Sequence, residues 1–208
     1  MGGQVNIAII RHGESMDDVE DCYGGIADFE LTERGCRQAS ALGKALASAK
    51  LQRLYSSPLQ RAIATATLIA AEVPDKIQVI AIDELHERNS YGVLSGVTKD
   101  RAARLFHREL ASLREKPGYS REPLLGAEDF DAFVLRVRRV FAQVVGEATR
   151  DGLTSIGIVT HGKFTQALFE FVFELGGAYQ PDHGVATFVT YTAPLAKVIG
   201  KAAPEFPA

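Results

Sequence analysis

The stretch Val5-Asn6-Ile7-Ala8-Ile9-Ile10, followed directly by Arg11-His12-Gly13-Glu14-Ser15, is the segment from which the fold is predicted. The first six residues form a short, mostly apolar run rich in β-branched side chains, which indicates a buried strand. The next five are charged and include a glycine, so we expect the strand to end in a polar turn. An arginine and an imidazole then stand at the end of a buried strand, where they can meet an anion. Gly13 lets the backbone approach that anion closely.

Strand-like runs alternate with helical patterns along the rest of the chain. Further strands are predicted at Arg53–Tyr55, Ile77–Ile82, Ile156–Thr160 and Ala186–Tyr191. Helix starts are predicted at Thr32-Glu33, at Ser57-Pro58 and at Glu128. The last helix has one apolar face, formed by Phe130, Phe133, Val137, Phe141 and Val144. This order predicts an α/β fold over residues 1–208: a single-domain, three-layer αβα sandwich with a mostly parallel central sheet and helices on both faces.

One polar segment, residues 97–127, interrupts this alternation. It contains Pro117, Gly118 and Pro123 and has no clear strand pattern. We interpret it as a small cap insertion lying over the active face, where it would set specificity. The alternative is a surface insertion that makes no ligand contact.

The composition limits the classes of partner. The 208 residues are 46% hydrophobic and 24% charged, with a formal net charge of −3, which is typical of a soluble domain. This charge is too near neutral to attract nucleic acid or an acidic membrane, so neither is expected, and an anionic substrate requires a local cluster of cations. Cys22 and Cys36 are interpreted as free thiols of a reduced compartment, a disulfide being the alternative. With no apolar window of about eighteen residues and no signal-peptide pattern, a cytoplasmic location is expected.

Four more motifs follow the RHGES segment in order. They are GIADFELTERG at 25–35, SSPLQRA at 56–62, ERNSYG at 87–92 and VTHG at 159–162. Together these motifs resemble those of the histidine phosphatase superfamily, which includes the cofactor-dependent phosphoglycerate mutases and the bisphosphatases that act on fructose 2,6-bisphosphate. The resemblance spans most of the chain. It implies phosphoryl transfer through a phosphohistidine, with no metal and no cofactor expected.

The resemblance assigns a role to each motif. His12 is the expected nucleophile, because an imidazole is nucleophilic near neutral pH and splits a difficult transfer into two steps. Glu87 is expected to handle the proton, although Glu84 lies near it in the sequence. The phosphoryl group would be bound by Arg11, Arg61, His161 and Gly162, with the arginines offering planar forks of donors and a protonated His161 adding another. Taken alone, an arginine of this kind is more often a surface ion-pair partner, and a histidine a structural one.

Substrate contacts are also predicted at Ser15, Asp18, Gly25, Tyr91 and Lys99. The family usually has asparagine where this chain has Asp18, and a carboxylate there cannot donate a hydrogen bond and would repel a phosphate. Asp18 therefore points away, binds a cationic part of the substrate or a neighbouring arginine, or belongs to a loop that merely varies.

Two other features depart from, or fall outside, the family pattern. One extra residue lies between Glu87 and Tyr91 relative to the mutases. His86, His107 and His183 are interpreted as structural histidines, although His86 could line the site.

The expected function is a metal-independent phosphomonoester hydrolase acting on a small phosphorylated metabolite. The arginine pair and proline run of the mutases are missing, with only a partial echo at 113–116, while Gly126-Ala127-Glu128 resembles the bisphosphatase helix entry. A mutase must exclude water from its intermediate, whereas a phosphatase must admit it. The alternatives are a 2,3-bisphosphoglycerate-dependent phosphoglycerate mutase and a catalytically silent phosphate-binding protein. The motifs give no oligomeric state.

Overall fold

The computed structural model describes residues 4–115, 124–175, 179 and 181–203, and its centre is one open, six-stranded sheet. The strands are β1 Val5–Arg11, β2 Arg53–Ser56, β3 Gln78–Ala81, β4 Ser155–Thr160, β5 Ala186–Thr192 and β6 Leu195–Ala202. Their order across the sheet is β3-β2-β4-β1-β5-β6. The first four strands of this order are mutually parallel, whereas β5 is antiparallel to β1, and β6 to β5. The prediction of a mostly parallel sheet is confirmed, with an antiparallel pair added at one edge.

Seven α-helices surround the sheet within the described residues. They are α1 Met16–Val19, α2 Glu33–Ala45, α3 Gln60–Glu72, α4 Lys99–Leu105, α5 His107–Glu115, α6 Phe130–Arg150 and α7 Gly162–Ala167. A π-helical turn, Leu168–Val172, continues α7. Helix α2 begins where predicted, because the Thr32 side chain accepts a hydrogen bond from the Gly35 amide. None of the described helices combines the length and apolarity needed to span a membrane.

Side chains of β1 alternate between two apolar clusters on opposite faces of the sheet. Ile7 and Ile9 pack with the predicted apolar face of α6. Ala8 and Ile10 pack with Leu42 of α2 and with side chains of α3. Both faces of the sheet are therefore covered by helices, as a parallel sheet requires, and the predicted three-layer architecture is confirmed.

Two local predictions differ from the structure. The helix predicted to open at Ser57-Pro58 begins at Gln60 instead, and the Ser57 hydroxyl accepts a weak hydrogen bond from the Leu59 amide. Strand β6 was not predicted. Lysines interrupt its apolar residues, and most of its side chains are exposed, as is typical of an edge strand.

The described part of the 97–127 segment contains α4 and α5. Leu94, Ala102, Leu110 and Leu124 form a small cluster that also packs against Tyr23 and Tyr91. Pro117, Gly118 and Pro123 lie outside the described residues, as do the side chains of 113–116. The cap remains a prediction, with its base attached beside the loop that follows β1.

Candidate active site

A cavity of about 370 Å³ lies at the edge of the sheet where the parallel strands end. Arg11 ends β1, Ser56 ends β2 and Thr160 ends β4, so the residues that follow these strands converge there. The predicted site residues that line the cavity are Arg11, His12, Asp18, Gly25, Arg61, Glu87, Tyr91, Lys99 and Gly162. Residues from five separate motifs are thus brought to one place.

The turn after β1 is fixed by close contact with the start of α2. An added Cβ at Gly13 would lie 2.5 Å from the carbonyl oxygen of Gly35, and one at Gly35 would lie 2.0 Å from that of Glu14. Both obstacles are backbone atoms, which cannot rotate away. The amide of Gly13 also donates to the Thr65 hydroxyl, at 3.1 Å. The two glycines therefore hold the turn that carries His12 at a fixed distance from α2.

His12 is buried, with 5% of its surface exposed. Its Nδ1 atom lies 2.7 Å from the carbonyl oxygen of Gly13. Because that oxygen only accepts, Nδ1 carries the proton and Nε2 keeps the lone pair in the neutral ring. Burial lowers the pKa of His12 well below its ordinary value, and the positive charge of Arg61 lowers it further. The imidazole is therefore neutral at pH 7, as a nucleophile must be.

His161 lies directly beside His12, with 5.0 Å between the ring centroids. It is fully buried, and its Nε2 lies 2.7 Å from the Ser57 hydroxyl. Its Nδ1 is buried and has no hydrogen-bond partner among the described residues. Burial, followed by the charge of Arg61, lowers the pKa of His161 well below its ordinary value. The protonated form expected from the sequence is therefore disfavoured here, and a neutral ring with its proton on Nδ1 still offers one donor.

Arg61, on the first turn of α3, is almost fully buried and is held by backbone oxygens. Its Nη1 donates to the Ala27 carbonyl at 2.7 Å and its Nη2 to that of Gly25 at 2.8 Å. Its Nε is buried without a partner among the described residues. Burial lowers the pKa of this guanidinium, and the carboxylate of Asp17 opposes the shift. The arginine is thus anchored on one side and has free N–H groups left for an anion.

Arg11 is anchored in a similar way on the other side of the cavity. Its Nη1 donates to the Pro181 carbonyl at 2.9 Å, and its Nη2 lies 2.6 Å from Nε2 of His183. Its Nε is buried and unpaired within the described part of the chain. Burial lowers its pKa, and Glu87 opposes that shift most strongly. The two anchored arginines therefore place two positive charges at fixed positions in the cavity.

Glu87 lies against the first turn of α7. Its Oε2 accepts from the Lys163 amide at 2.9 Å, and its Oε1 accepts from the amides of Phe164 and Arg88 at 3.0 and 2.8 Å. Glu84 instead pairs with Arg139 and does not line the cavity. Of these two carboxylates, Glu87 is the one placed near the predicted nucleophile, and three backbone donors fix its orientation.

Buried Arg136 of α6 supports the loop that carries Glu87. Its guanidinium pairs with Glu128 and donates to the carbonyl oxygens of Glu84 and His86, at 2.6 and 3.0 Å. A side chain from the long helix therefore holds a segment that has no regular structure of its own. The sequence motifs did not indicate this role.

The residues predicted to contact the substrate divide into two groups. Gly25, Tyr91 and Lys99 line the cavity, although Lys99 also pairs with Asp21 at its rim. Ser15 is fully buried and does not line it. The hydroxyl of Ser15 donates to Asp17, so its placement gives no support to a substrate contact.

Asp18, the residue that departs from the family pattern, also lines the cavity. Its Oδ2 accepts from the Ser15 amide at 3.1 Å and lies 3.4 Å from Nε2 of His183. Within the described part of the chain, no lysine or arginine nitrogen lies within 4.0 Å of it. Asp18 therefore faces a histidine, a neighbour that the sequence did not indicate.

His183, predicted to be a structural histidine, lines the cavity with its ring centroid 5.3 Å from that of His12. It precedes β5, whose first residue, Ala186, pairs with Ile10 near the end of β1. An antiparallel strand begins where its neighbour ends, so the residues before β5 arrive next to Arg11. No motif marks His183, and only the direction of β5 could have revealed it.

Comparisons with known proteins agree with this geometry. The sequence profile of the histidine phosphatase superfamily (branch 1) matches residues 7–188. A 2,3-bisphosphoglycerate-dependent phosphoglycerate mutase from Methylocella silvestris is 32% identical over 187 residues, covering 88% of each chain.

Solved structures are similar in fold at lower sequence identity. A putative alpha-ribazole-5′-P phosphatase from Escherichia coli has a TM-score of 0.81 at 22% identity, over 98% of both chains. A phosphoglycerate mutase from Bacillus anthracis has a TM-score of 0.78 at 22% identity, over 95% of this chain and 92% of that one. Phosphatases and mutases thus share this fold, and the chain described here belongs to branch 1 of the histidine phosphatase superfamily.

Proposed function

We propose that this chain is a metal-independent phosphomonoester hydrolase that acts through a phosphohistidine on a small phosphorylated metabolite. The observation that carries the proposal is the state of His12: a buried, neutral imidazole whose Nδ1 proton is directed to the Gly13 carbonyl, so that Nε2 is free to attack. Arg11 and Arg61 lie in the same cavity with unpaired N–H groups. A phosphoryl group placed there would meet a nucleophile and two cations.

In the first step, the lone pair of Nε2 forms a bond to phosphorus while the bond from phosphorus to the leaving oxygen breaks. The positive charge that develops on the phosphorylated ring is stabilised through Nδ1–H by the Gly13 carbonyl oxygen. Charge on the equatorial phosphoryl oxygens is balanced by the two arginines and by the Nδ1–H group of His161. These groups hold fixed positions before substrate arrives, so they need little reorganisation during the reaction.

Glu87 moves the proton in both steps. It gives a proton to the leaving oxygen in the first, and takes one from the attacking water in the second, when the bond from phosphorus to nitrogen breaks and phosphate is released. Two of the three backbone donors bind Oε1 and one binds Oε2, so the remaining lone pair of Oε2 can carry the proton without loss of a backbone hydrogen bond.

The charge of the cavity wall supports a hydrolase over a mutase. Asp17 and Asp18 line the cavity beside Arg11 and Arg61, whereas Asp21 pairs with Lys99, and Arg88 and Lys163 line other parts of the cavity. A second phosphate on the side of Asp17 and Asp18 would be repelled by these two carboxylates, because like charges repel. A substrate with one phosphoryl group can place it over Arg11 and Arg61 and keep its uncharged part near the acidic wall.

Hydrolysis of p-nitrophenyl phosphate by the purified chain tests the proposal. We expect steady release of phosphate by wild type, none above background by His12→Ala, and an unchanged rate in His107→Asn, which alters an exposed histidine on α5. Acid-labile label retained on wild-type protein after a quench with ³²P-labelled substrate would report the phosphohistidine. Binding of phosphate without any turnover would instead support the silent homologue.

A second assay separates the two enzymatic alternatives. The chain is incubated with 3-phosphoglycerate with and without 2,3-bisphosphoglycerate. The proposal predicts release of inorganic phosphate from some members of a panel of phosphorylated metabolites and no isomerisation that depends on the bisphosphate. Isomerisation faster than hydrolysis would establish the mutase.

A further inference from the structure

One ring nitrogen, Nε2 of His183, lies between a group that only donates and a group that only accepts. Arg11 Nη2 lies 2.6 Å from it, and Asp18 Oδ2 lies 3.4 Å from it. A guanidinium has donors only, whereas an ionised carboxylate has acceptors only. A single nitrogen cannot satisfy both at once, so the protonation state of His183 decides which partner it bonds.

The shorter contact identifies the neutral form as the one in this structure. For Arg11 to donate to Nε2, that atom must carry its lone pair, which leaves the ring proton on Nδ1. In this form His183 and the Pro181 carbonyl hold the two Nη atoms of Arg11. The Nε–H and the remaining Nη–H groups of the same plane are then left for a phosphoryl group.

Protonation reverses this arrangement. A proton on Nε2 removes the acceptor for Arg11 and places two positive groups in contact, while it creates a donor for Asp18. The segment itself cannot retreat, because the Gly184 amide donates to the carbonyl oxygens of both Arg11 and His12 at 3.2 Å. The ring must therefore turn towards Asp18, or Arg11 must move.

We propose that neutral His183 is a positioning residue for Arg11, and that its protonation, which directs Nε2 to Asp18 instead, displaces Arg11 and lowers phosphoryl transfer. The inference rests on the proposed function in one respect, namely that Arg11 binds the phosphoryl group. It also gives a reason for Asp18 in a wall where a carboxylate would otherwise only repel phosphate.

The charged groups around His183 influence the pH at which its ring takes up a proton. From the end of β1 it faces Arg11 and His12, from the following turn and α1 it faces Glu14, Asp17 and Asp18, and its chain neighbour is Asp182. Burial and then Arg11 lower the pKa of His183, and Asp18 opposes them. The pKa of neighbouring His12 is also lowered, mainly by burial.

Steady-state kinetics with p-nitrophenyl phosphate as a function of pH provide the first test. His183→Ala removes the acceptor and should lower kcat/KM about tenfold to a hundredfold at pH 7.5, the usual effect of losing a hydrogen bond to a charged group. His183→Asn supplies a carbonyl acceptor that does not titrate. It should recover most of that loss and move the fall in activity at acid pH to a lower pH.

Asp18→Asn tests the competing partner. Without the carboxylate, protonated His183 loses its stabilising neighbour, so the acid limb, normalised to the plateau of each variant, should again move to lower pH. His107→Asn is the control for removing a histidine. The ionisation of the substrate is the same for every variant and cancels from the comparison. An acid limb unchanged in both His183→Asn and Asp18→Asn would overturn the proposal, as would full activity in His183→Ala.

A measurement without turnover keeps this inference separate from the proposed function. Imidazole ¹⁵N–¹H correlation spectra, assigned by the signal lost in His183→Asn, should show His183 at pH 7.5 as the neutral tautomer protonated on Nδ1. Titration calorimetry with inorganic phosphate should show weaker binding to His183→Ala than to wild type. If wild type bound phosphate in this way but lacked turnover, the proposed function alone would fail. A proton on Nε2 at pH 7.5 would disprove the inference whatever the activity.

Discussion

Nε2 of His161, which follows β4, and Oγ of Ser57, which follows β2, lie 2.7 Å apart although 104 residues separate them in the chain. Since β2 and β4 are neighbouring parallel strands, their ends bring the two side chains together. The hydroxyl can donate to Nε2, which fixes the proton of His161 on Nδ1, the buried nitrogen that has no partner among the described residues. Ser57 thus selects the tautomer of His161 that donates to the phosphoryl group in the proposed mechanism.

Replacing this serine should lower activity more than stability. Ser57→Ala removes the hydrogen bond that selects the tautomer of His161, and we expect kcat/KM to fall about tenfold, the equivalent of roughly 1.4 kcal/mol. Ser56→Ala is a matched control, because Ser56 is equally buried but donates to the Ser57 carbonyl. Hydrolysis of p-nitrophenyl phosphate and urea unfolding of both variants would measure the difference. Equal losses of activity would argue against a role for the tautomer.

The role of Glu87 can be tested by varying the leaving group. Glu87→Gln cannot supply a proton, so it should slow phosphorylation of His12 strongly for an alkyl phosphate and only slightly for p-nitrophenyl phosphate, whose leaving group needs little protonation. Rapid-quench measurement of phosphoenzyme formation with both substrates checks this. Glu84→Gln, in the carboxylate paired with Arg139, should behave like wild type. The same loss with both substrates would indicate that Glu87 only supports α7.

The contact between the turn after β1 and α2 predicts a pair of opposite stability effects. Gly35→Ala puts a Cβ 2.0 Å from the Glu14 carbonyl oxygen, and we expect it to lower the free energy of unfolding by about 1–3 kcal/mol and to reduce activity by shifting His12. The Cβ added by Gly146→Ala on α6 has no atom within 4 Å, so this variant should raise the free energy of unfolding by about 0.5–1 kcal/mol. Urea unfolding of both variants gives the two values. A neutral Gly35→Ala would show that the turn is not fixed by this contact.

The buried histidines predict how stability depends on pH. The folded-state pKa values of His12 and His161 are depressed well below 6.5, mainly by burial, so below about pH 6.5 the unfolded chain binds more protons than the folded one. Stability from these groups is fully present above that pH and falls as the pH decreases, by up to about 1.4 kcal/mol per pH unit for each histidine. Urea unfolding between pH 7.5 and 5.5 should show a shallower dependence for His161→Asn than for wild type. Identical slopes would contradict the depressed pKa.

The elements that the sequence predicted are those whose signal is local. The apolar run Val5–Ile10 and the apolar face of α6 each reflect a repeat within one segment, and both lie where predicted. The convergence of Arg11, Arg61 and His161 was implied by the resemblance to the family motifs, and it agrees with the fact that parallel strands end at one edge of the sheet. These parts of the site required no knowledge of long-range pairing beyond the fold class.

The parts that were missed depend on strand direction and on backbone donors. The residue pattern of β5 would be the same in a strand parallel or antiparallel to β1. The sequence therefore did not indicate that His183 and Asp18 would lie close together. The partners of Glu87 are amides of α7, and a main-chain N–H has no residue type to recognise. A search for side-chain patterns therefore finds the proposed nucleophile and the cations but not the groups that hold them in place.

The anchoring of Arg61 has a thermodynamic consequence beyond the cavity. One rigid guanidinium plane joins the surface loop at Gly25 and Ala27 to the place where an anion would sit. We expect an anion bound to Arg61 to steady that loop and slow its amide hydrogen exchange, and linkage then requires order in the loop to raise anion affinity by the same free energy. Occupancy of the cavity would then be coupled to motion at the surface through a single side chain.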